Sequence, residues 1–122
     1  GSKAFVAKFL AKHGKPPENH AWIEYVSLKM MAQAMNEAKS TDTDKLIAYF
    51  ESEAQFDLLK ARKGYFRSWD HQLMQEAYPF TVKPKGRAKD KWDFLQFGDA
   101  VPATNQPLEL LATTKAENTC VM

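Results

Sequence analysis

The amino-acid sequence predicts an α+β order, in which three helices precede two or three short strands. The first observation is an apolar periodicity at helical spacing, which runs through the first fifty residues. The second is the loss of that period after Glu53, where aromatic and β-branched residues stand in short runs broken by proline and glycine. A chain of 122 residues with 44% hydrophobic content is enough for one domain and too short for two.

The first two helices have recognisable ends. A helix is predicted over residues 3–13, and it stops at Gly14 ahead of Pro16-Pro17, which lack backbone donors. Asn19 is positioned to cap a second helix over residues 20–38. Apolar side chains occupy a broad arc of this second helix, which indicates burial on more than one side. The arc comprises Ala21, Trp22, Tyr25, Val26, Leu28, Met30, Ala32 and Met35.

A third helix is predicted after the turn at residues 40–43. Thr43 is expected to cap it, and Leu46, Ile47 and Phe50 fall on one side. Residues 54–64 look polar and irregular. The apolar faces of these helices must pack against a sheet. Two interpretations are therefore open: the chain is a compact α+β domain, or it is a fragment of a larger α/β lobe.

Short strands are predicted over residues 65–69, 73–82 and 92–97. Pro79 cannot donate to a ladder, so it either interrupts the second strand or places it at a sheet edge. Gly98 ends the third strand. Beyond it we expect a loop, a short turn at the leucines near residue 110, and a polar, frayed tail from residue 113.

The charge pattern, the hydropathy and the single cysteine indicate which kinds of partner and bond the chain is not expected to form. The net charge is only +2 and the lysines are interspersed with acids, so no nucleic-acid partner is expected. The densest basic run, Lys83–Lys91, contains proline and glycine and is interpreted as a solvated turn rather than a phosphate-binding patch. No run of about 18 apolar residues exists that would span a membrane. The single cysteine, Cys120, cannot form an internal disulfide; we expect a free thiol, and the alternative is a thiol whose partner lies in upstream sequence outside this chain.

No pattern of residues indicates catalysis. The three histidines stand at no metal-ligand spacing, and the glycine-rich phosphate signatures are absent, so no catalytic residue, metal or cofactor is predicted. Asp70 and His71 could form an acid–base pair, but adjacent strand residues point to opposite faces. No secretory signal is visible. Gly1-Ser2 is interpreted as a tag remnant, which leaves one domain over residues 3–122.

The start of the second helix is the most interesting cluster. His20, Trp22 and Tyr25 stand together there, either as core residues or facing a cleft. For Tyr25 the core is favoured. His20 and Trp22 are the candidate ligand-binding residues, because an aromatic edge and a ring N–H suit a small ligand.

Four segments, in this order and spacing, resemble the C-terminal part of the periplasmic solute-binding proteins of ABC transporters, of the branched-chain amino-acid (Leu/Ile/Val) type. They are Phe5–Leu10 with Gly14–Pro17, Ala21–Leu28, Ala34–Ala38 with Thr41-Asp42, and Gly64–Arg67 with Asp70–Gln72. The ending Cys120–Met122 also looks like a terminus of this family. The resemblance implies an α/β fold, here a partial lobe of a type I periplasmic binding protein: three helices, a short β-hairpin and a tail.

The resemblance also implies a function. Such a protein is periplasmic and non-enzymatic, encloses a small solute between two lobes, and delivers it to the permease of an ABC transporter. The resemblance places His20 at the cleft, with Trp22 close by. Binders of Leu, Ile and Val tend to have an apolar aromatic residue at the His20 position, so histidine there suits a more polar or an aromatic solute, such as another amino acid or a related acid or amide.

One further expectation follows from the partial lobe. Apolar faces of roughly several hundred Å² that lack their parent sheet rarely stay monomeric, so the fragment is expected to self-associate.

The sequence also leaves an alternative function open. This is a small helical protein–protein interaction domain, in which Trp22, Tyr25 and Met30 line a groove for a partner helix.

Overall fold

The computed structural model describes residues 1–119. Cys120, predicted to be a free thiol, and the family-like ending Cys120–Met122 lie outside the described residues. No helix within residues 1–119 is long and apolar enough to cross a membrane.

Three helices open the chain, as predicted: α1 (Ser2–His13), α2 (Asn19–Ala38) and α3 (Thr43–Glu51). Gly14 ends α1 in the left-handed conformation at φ 68°, which glycine adopts without the steric cost that a Cβ would add. The predicted bounds of α1 and α2 are correct to within one residue.

Both predicted caps are wrong by one residue. Asn19 is the first helical residue of α2, and the extended residue before it is Glu18. At α3 the cap is Asp42, whose Oδ1 accepts a hydrogen bond from the Lys45 amide at 3.2 Å. Three residues separate that carboxylate from the amide, which is the reach of an N-cap side chain, whereas Thr43 is already inside the helix.

The strands are shorter than predicted and form two separate antiparallel hairpins. Strand β1 (Tyr65–Phe66) pairs with β2 (Leu73–Met74), and β3 (Phe80–Val82) pairs with β4 (Leu95–Phe97). The run predicted over residues 73–82 is interrupted around Pro79, as the missing proline donor allows. The leucines near residue 110 form a short 3₁₀ turn over Leu108–Leu111.

Two isolated bridges connect these pieces. Phe56 pairs with Gly64, and Ala77 pairs with Val101, both antiparallel. Gly64 lies in a tight position, because a Cβ there would meet Leu58 Cδ1 at 2.5 Å and the Met74 carbonyl oxygen at 2.7 Å.

The core lies between α2, α3 and the first hairpin. Its fully buried members are Phe56 and Leu58, which belong to the segment that the sequence indicated was polar and irregular. Phe50 stacks on Phe56 with ring centroids 5.4 Å apart, and Phe66 meets Phe50 edge-on at 5.3 Å. Aromatic packing of this kind joins the third helix to the first hairpin.

Many large apolar side chains remain uncovered. Leu28 on α2 is 71% exposed, and β3 and β4 expose Phe80, Val82 and Phe97. Within residues 1–119, only six hydrophobic residues count as buried: Val26, Met30, Ala34, Phe56, Leu58 and Met74. A small core beside large exposed apolar faces is what a partial lobe should show.

Candidate functional site

Helix α2 begins at a turn that is held by one exposed ion pair. Lys15 Nζ lies 2.9 Å from Glu18 Oε1, and this hydrogen bond lowers the pKa of the Glu18 carboxyl below its usual value. No side chain caps the first turn of α2. The Glu18 carboxylate therefore accepts a hydrogen bond from Lys15 and none from the backbone amides of the first turn.

His20 lies in this first turn with its side chain exposed. Within residues 1–119 no side chain or carbonyl forms a hydrogen bond with its ring. His20 does not itself line the adjoining cavity of about 900 Å³, but the five residues before it, Lys15–Asn19, do. The other lining side chains are aromatic or apolar: Phe80, Trp92, Phe94, Leu95 and Phe97. The predicted site residue is thus accessible and lies next to an open, largely apolar cavity.

Trp22 occupies a different environment, because its ring joins the core. The indole Nε1–H donates to the Leu58 carbonyl at 2.9 Å, and the ring packs against the cluster of Met30, Phe56 and Leu58. Lys60 Nζ lies 4.9 Å from the ring centroid. The polar edge of Trp22 is therefore occupied within the chain, and its main effect is to fix the start of α2 against residues 58–60.

Lys60 connects Trp22 to the first hairpin. Its ammonium group donates to Gln75 Oε1 at 2.9 Å and to the Glu76 carbonyl at 2.6 Å, and it also lies 5.9 Å from the Tyr78 ring centroid. Burial lowers the pKa of the Lys60 ammonium, and the nearby Glu76 carboxylate opposes that effect. Groups of the protein itself surround the Lys60 ammonium. Its role is therefore to stabilise the contact between Trp22 and the residues after β2, and we do not assign it to ligand binding.

Glu76 is a buried carboxylate at the centre of a network. Its side chain is fully inaccessible and accepts hydrogen bonds from the Ala61 amide at 2.8 Å, from Arg62 Nε at 3.0 Å and from the Tyr78 hydroxyl. Burial alone would raise the pKa of Glu76, but the hydrogen bonds from Tyr78 and Arg62 outweigh it and lower the pKa to about 2. Tyr78 is two residues from Glu76, but Ala61 and Arg62 precede it by 15 and 14 residues, so no local sequence pattern indicated the network.

Asp70 and His71 are not an acid–base pair, although the reason given from the sequence was wrong. They lie in the turn between β1 and β2 rather than in a strand, with His71 at φ 52°. Asp70 accepts hydrogen bonds from the guanidinium of the buried Arg67. His71 instead reaches Glu51 at the end of α3, with 2.7 Å between Nε2 and Oε1.

The His71–Glu51 contact lines a shallow groove of about 290 Å³ with Ile47, Phe50 and Phe66. Within the described part of the chain, no group of three or more His, Cys, Asp or Glu side chains could hold a metal ion. Within the described residues, the start of α2 combines an exposed imidazole with neighbours that line a large, mainly apolar cavity.

Tyr25 stacks on Phe5 of α1 with ring centroids 4.7 Å apart, and Met30 is buried. A cavity of about 500 Å³ adjoins Tyr25, but the Trp22 indole and Met30 are engaged in the core, so these three side chains do not line one groove.

The comparisons with known proteins agree with this architecture. The family model described as periplasmic binding protein matches residues 1–88. The chain is also similar to the crystal structure of a periplasmic binding protein from Burkholderia mallei, with 29% sequence identity and a TM-score of 0.81. No curated protein matches the chain.

The similarity to the Burkholderia mallei protein covers 97% of this chain but only 29% of that protein, so the chain spans less than a third of the length of the structure it matches. This likeness confirms the predicted fold, a partial α/β lobe. Because the family model covers well over half of the described residues, the chain belongs to the periplasmic binding protein family.

Proposed function

We propose that the chain is the C-terminal segment of an extracytoplasmic solute-binding protein that delivers a small solute to an ABC transporter. The observation that carries the proposal is the similarity to a periplasmic binding protein over 97% of the chain. A periplasmic location, a permease partner and the absence of catalysis are parts of the same proposal. The longer protein would supply the second lobe and most of the solute contacts.

The start of α2 supports a role in contacting solute. His20 is exposed, has a ring that forms no hydrogen bond within residues 1–119, and follows directly on residues that line the cavity of about 900 Å³. An imidazole can donate or accept a hydrogen bond at neutral pH. We therefore propose His20 as a direct contact. Trp22, half-buried and bonded to Leu58, would meet solute only with the part of its ring outside the core.

The solute class follows from the same residues. A polar ring at position 20 beside aromatic cavity walls such as Phe80 and Phe97 favours an amino acid or a related acid or amide with polar or aromatic character over a branched-chain amino acid. Binding pockets of this type combine apolar walls with a few placed polar groups, and an aliphatic solute side chain facing the imidazole would leave its hydrogen-bonding nitrogens without a partner.

The proposal is tested on the longer protein that contains this chain. Thermal-shift screening with the standard amino acids and with benzoate, 4-hydroxybenzoate and phenylacetate would identify a stabilising probe, and calorimetric titration would give its affinity. His20→Ala should weaken binding roughly 5- to 30-fold, the loss expected for one or two hydrogen-bond-strength contacts.

His13→Ala is the matched control, because His13 is also exposed but lies at the end of α1. Its affinity should equal that of the parent protein, and both variants should keep the same unfolding temperature without solute. Saturable binding with equal affinity in the His20→Ala variant would remove His20 from the site. Failure of every probe to shift the unfolding temperature would count against solute binding itself.

The alternative function, a helical protein–protein interaction domain, has less support. The arc of Trp22, Tyr25 and Met30 is occupied by Leu58, Phe5 and the core. A partner helix would have to displace these contacts before it could dock.

A further inference from the structure

The loop that joins β3 to β4 is closed by its own hydrogen bonds. We call residues 83–94 the basic loop. Its base is fastened by the Lys83 amide, which donates to the Phe94 carbonyl at 2.8 Å, and by an ion pair of 2.5 Å between Lys83 Nζ and Asp93 Oδ1. A 3₁₀ turn over Lys85–Arg87 forms one side. The loop therefore has a defined shape.

The acidic side chains of the basic loop are used to hold this shape. Asp90 Oδ1 accepts from the Trp92 amide at 2.7 Å and from the Asp93 amide at 3.0 Å. Asp93 Oδ2 accepts from the Lys89 amide at 3.1 Å, while its other oxygen pairs with Lys83. Both carboxylates thus hold the backbone of the loop, and Asp93 also pairs with Lys83 and attracts Lys89, so the two acids offset only part of the positive charge of the loop.

Four cations remain on the outside of the basic loop. Lys85, Arg87, Lys89 and Lys91 are all exposed, and none of them forms an ion pair within residues 1–119. Lys91 Nζ lies 4.9 Å from the ring centroid of Trp92, which is 42% exposed. Next to them Phe94 is 50% exposed. The loop therefore combines a local excess of positive charge with accessible aromatic rings.

We propose that the basic loop, which the sequence alone indicated was only a solvated turn, binds an anionic phospholipid surface. Three of its four free cations are lysines, which act as hydrated point charges and suit a diffuse array of lipid phosphates better than a fixed bidentate partner. Tryptophan prefers the boundary between headgroups and acyl chains, and Trp92 stands among the cations. An acidic protein partner would explain the exposed cations but not the exposed Trp92 ring. A lipid surface explains both features, and we therefore favour it.

The test is sedimentation of the chain with vesicles, and a sample without vesicles measures how much protein sediments through self-association alone. Vesicles of phosphatidylcholine mixed with phosphatidylglycerol should carry the protein down, vesicles of phosphatidylcholine alone should not, and added salt should release it. Each Lys or Arg near an anionic surface strengthens binding roughly fivefold, so Lys85→Gln with Arg87→Gln should weaken it about 30-fold.

The matched control is Lys3→Gln with Lys115→Gln, which removes the same charge from exposed positions outside the loop. This control should bind vesicles as the parent chain does, and both double variants should unfold at the parent temperature. Equal losses in the two double variants would show attraction to net charge alone and would overturn the proposal, as would equal binding to uncharged vesicles.

A second measurement follows the aromatic ring. Brominated phosphatidylglycerol should quench the tryptophan emission of the parent chain, and Trp92→Phe should abolish most of that quenching while Trp22 and Trp69 still fluoresce. Quenching that persists in Trp92→Phe would exclude insertion by this loop. Tighter binding to polyglutamate than to anionic vesicles, in a parallel titration, would assign the loop to an acidic protein instead.

Discussion

Replacement of Glu76 by glutamine should destabilise the protein strongly at neutral pH. The substitution keeps the shape of the side chain but removes the charge that accepts hydrogen bonds from Arg62, Tyr78 and the Ala61 amide. It also leaves the guanidinium of Arg62 beside a neutral group in a largely buried site. Breaking one side of a buried pair costs more than the pair contributes, because the remaining charge loses its partner.

The contribution of the Glu76 carboxylate to the free energy of unfolding can be worked out from its pKa. Its usual value is 4.5, and the native network lowers the pKa to about 2. Each pKa unit corresponds to about 1.4 kcal/mol, so the ionised carboxylate stabilises the native state by roughly 3 kcal/mol at neutral pH. That is a large part of the total stability of a small domain.

The lowered pKa of Glu76 also determines how this stabilisation changes with pH. The stabilisation is fully present above pH 4.5, where the unfolded carboxyl is ionised, and it disappears as the pH falls through 4.5 towards 2. The deficit of the Glu76→Gln variant should therefore be largest at pH 7 and should shrink below pH 4.5.

Urea unfolding followed by circular dichroism at pH 7, 5, 4 and 3 would measure this difference. Glu24→Gln is the matched control, because Glu24 is exposed on α2, and its unfolding free energy should change by less than about 0.5 kcal/mol. A Glu76→Gln variant as stable as the parent at pH 7 would refute the reasoning. So would a deficit of constant size from pH 7 to pH 3.

The remaining predictions concern packing and uncovered surface. Gly64→Ala should lower the unfolding free energy by at least about 1–3 kcal/mol, because the new methyl group would collide with Leu58 and the Met74 carbonyl; urea unfolding with unchanged stability would contradict this. The fragment should self-associate as its concentration rises, because residues such as Leu28 and Phe97 are exposed. Light scattering measures this, and a monomer at every concentration would count against it.

The sequence was a good guide to the helices because their signals are local. The apolar period, the left-handed glycine at position 14 and the prolines after it all act within one turn of the chain. The caps were misplaced by one residue, since neighbouring polar residues compete for the same amides and only geometry shows which side chain reaches, as Asp42 does.

The core and the site network depended on contacts that no local pattern encodes. Phe56 and Leu58 are only two apolar residues separated by an aspartate, too short a run to distinguish a core segment from a loop. The sequence left open whether His20 lies in the core or faces a cleft, and only the structure shows that its side chain is exposed. The bond from the Trp22 indole to the Leu58 carbonyl could not be predicted, because 36 residues separate them.

Two arginines show how the last part of the chain is fastened. Arg62 donates to the carbonyl oxygens of Pro102 and Gln106, and Arg67 donates to that of Thr113. These acceptors belong to the main chain, so exchange of the exposed side chains of Gln106 and Thr113 should leave them in place. A deletion or insertion between them would move a carbonyl out of reach of its guanidinium. Natural relatives should accordingly vary freely in residue type along this stretch while keeping its length.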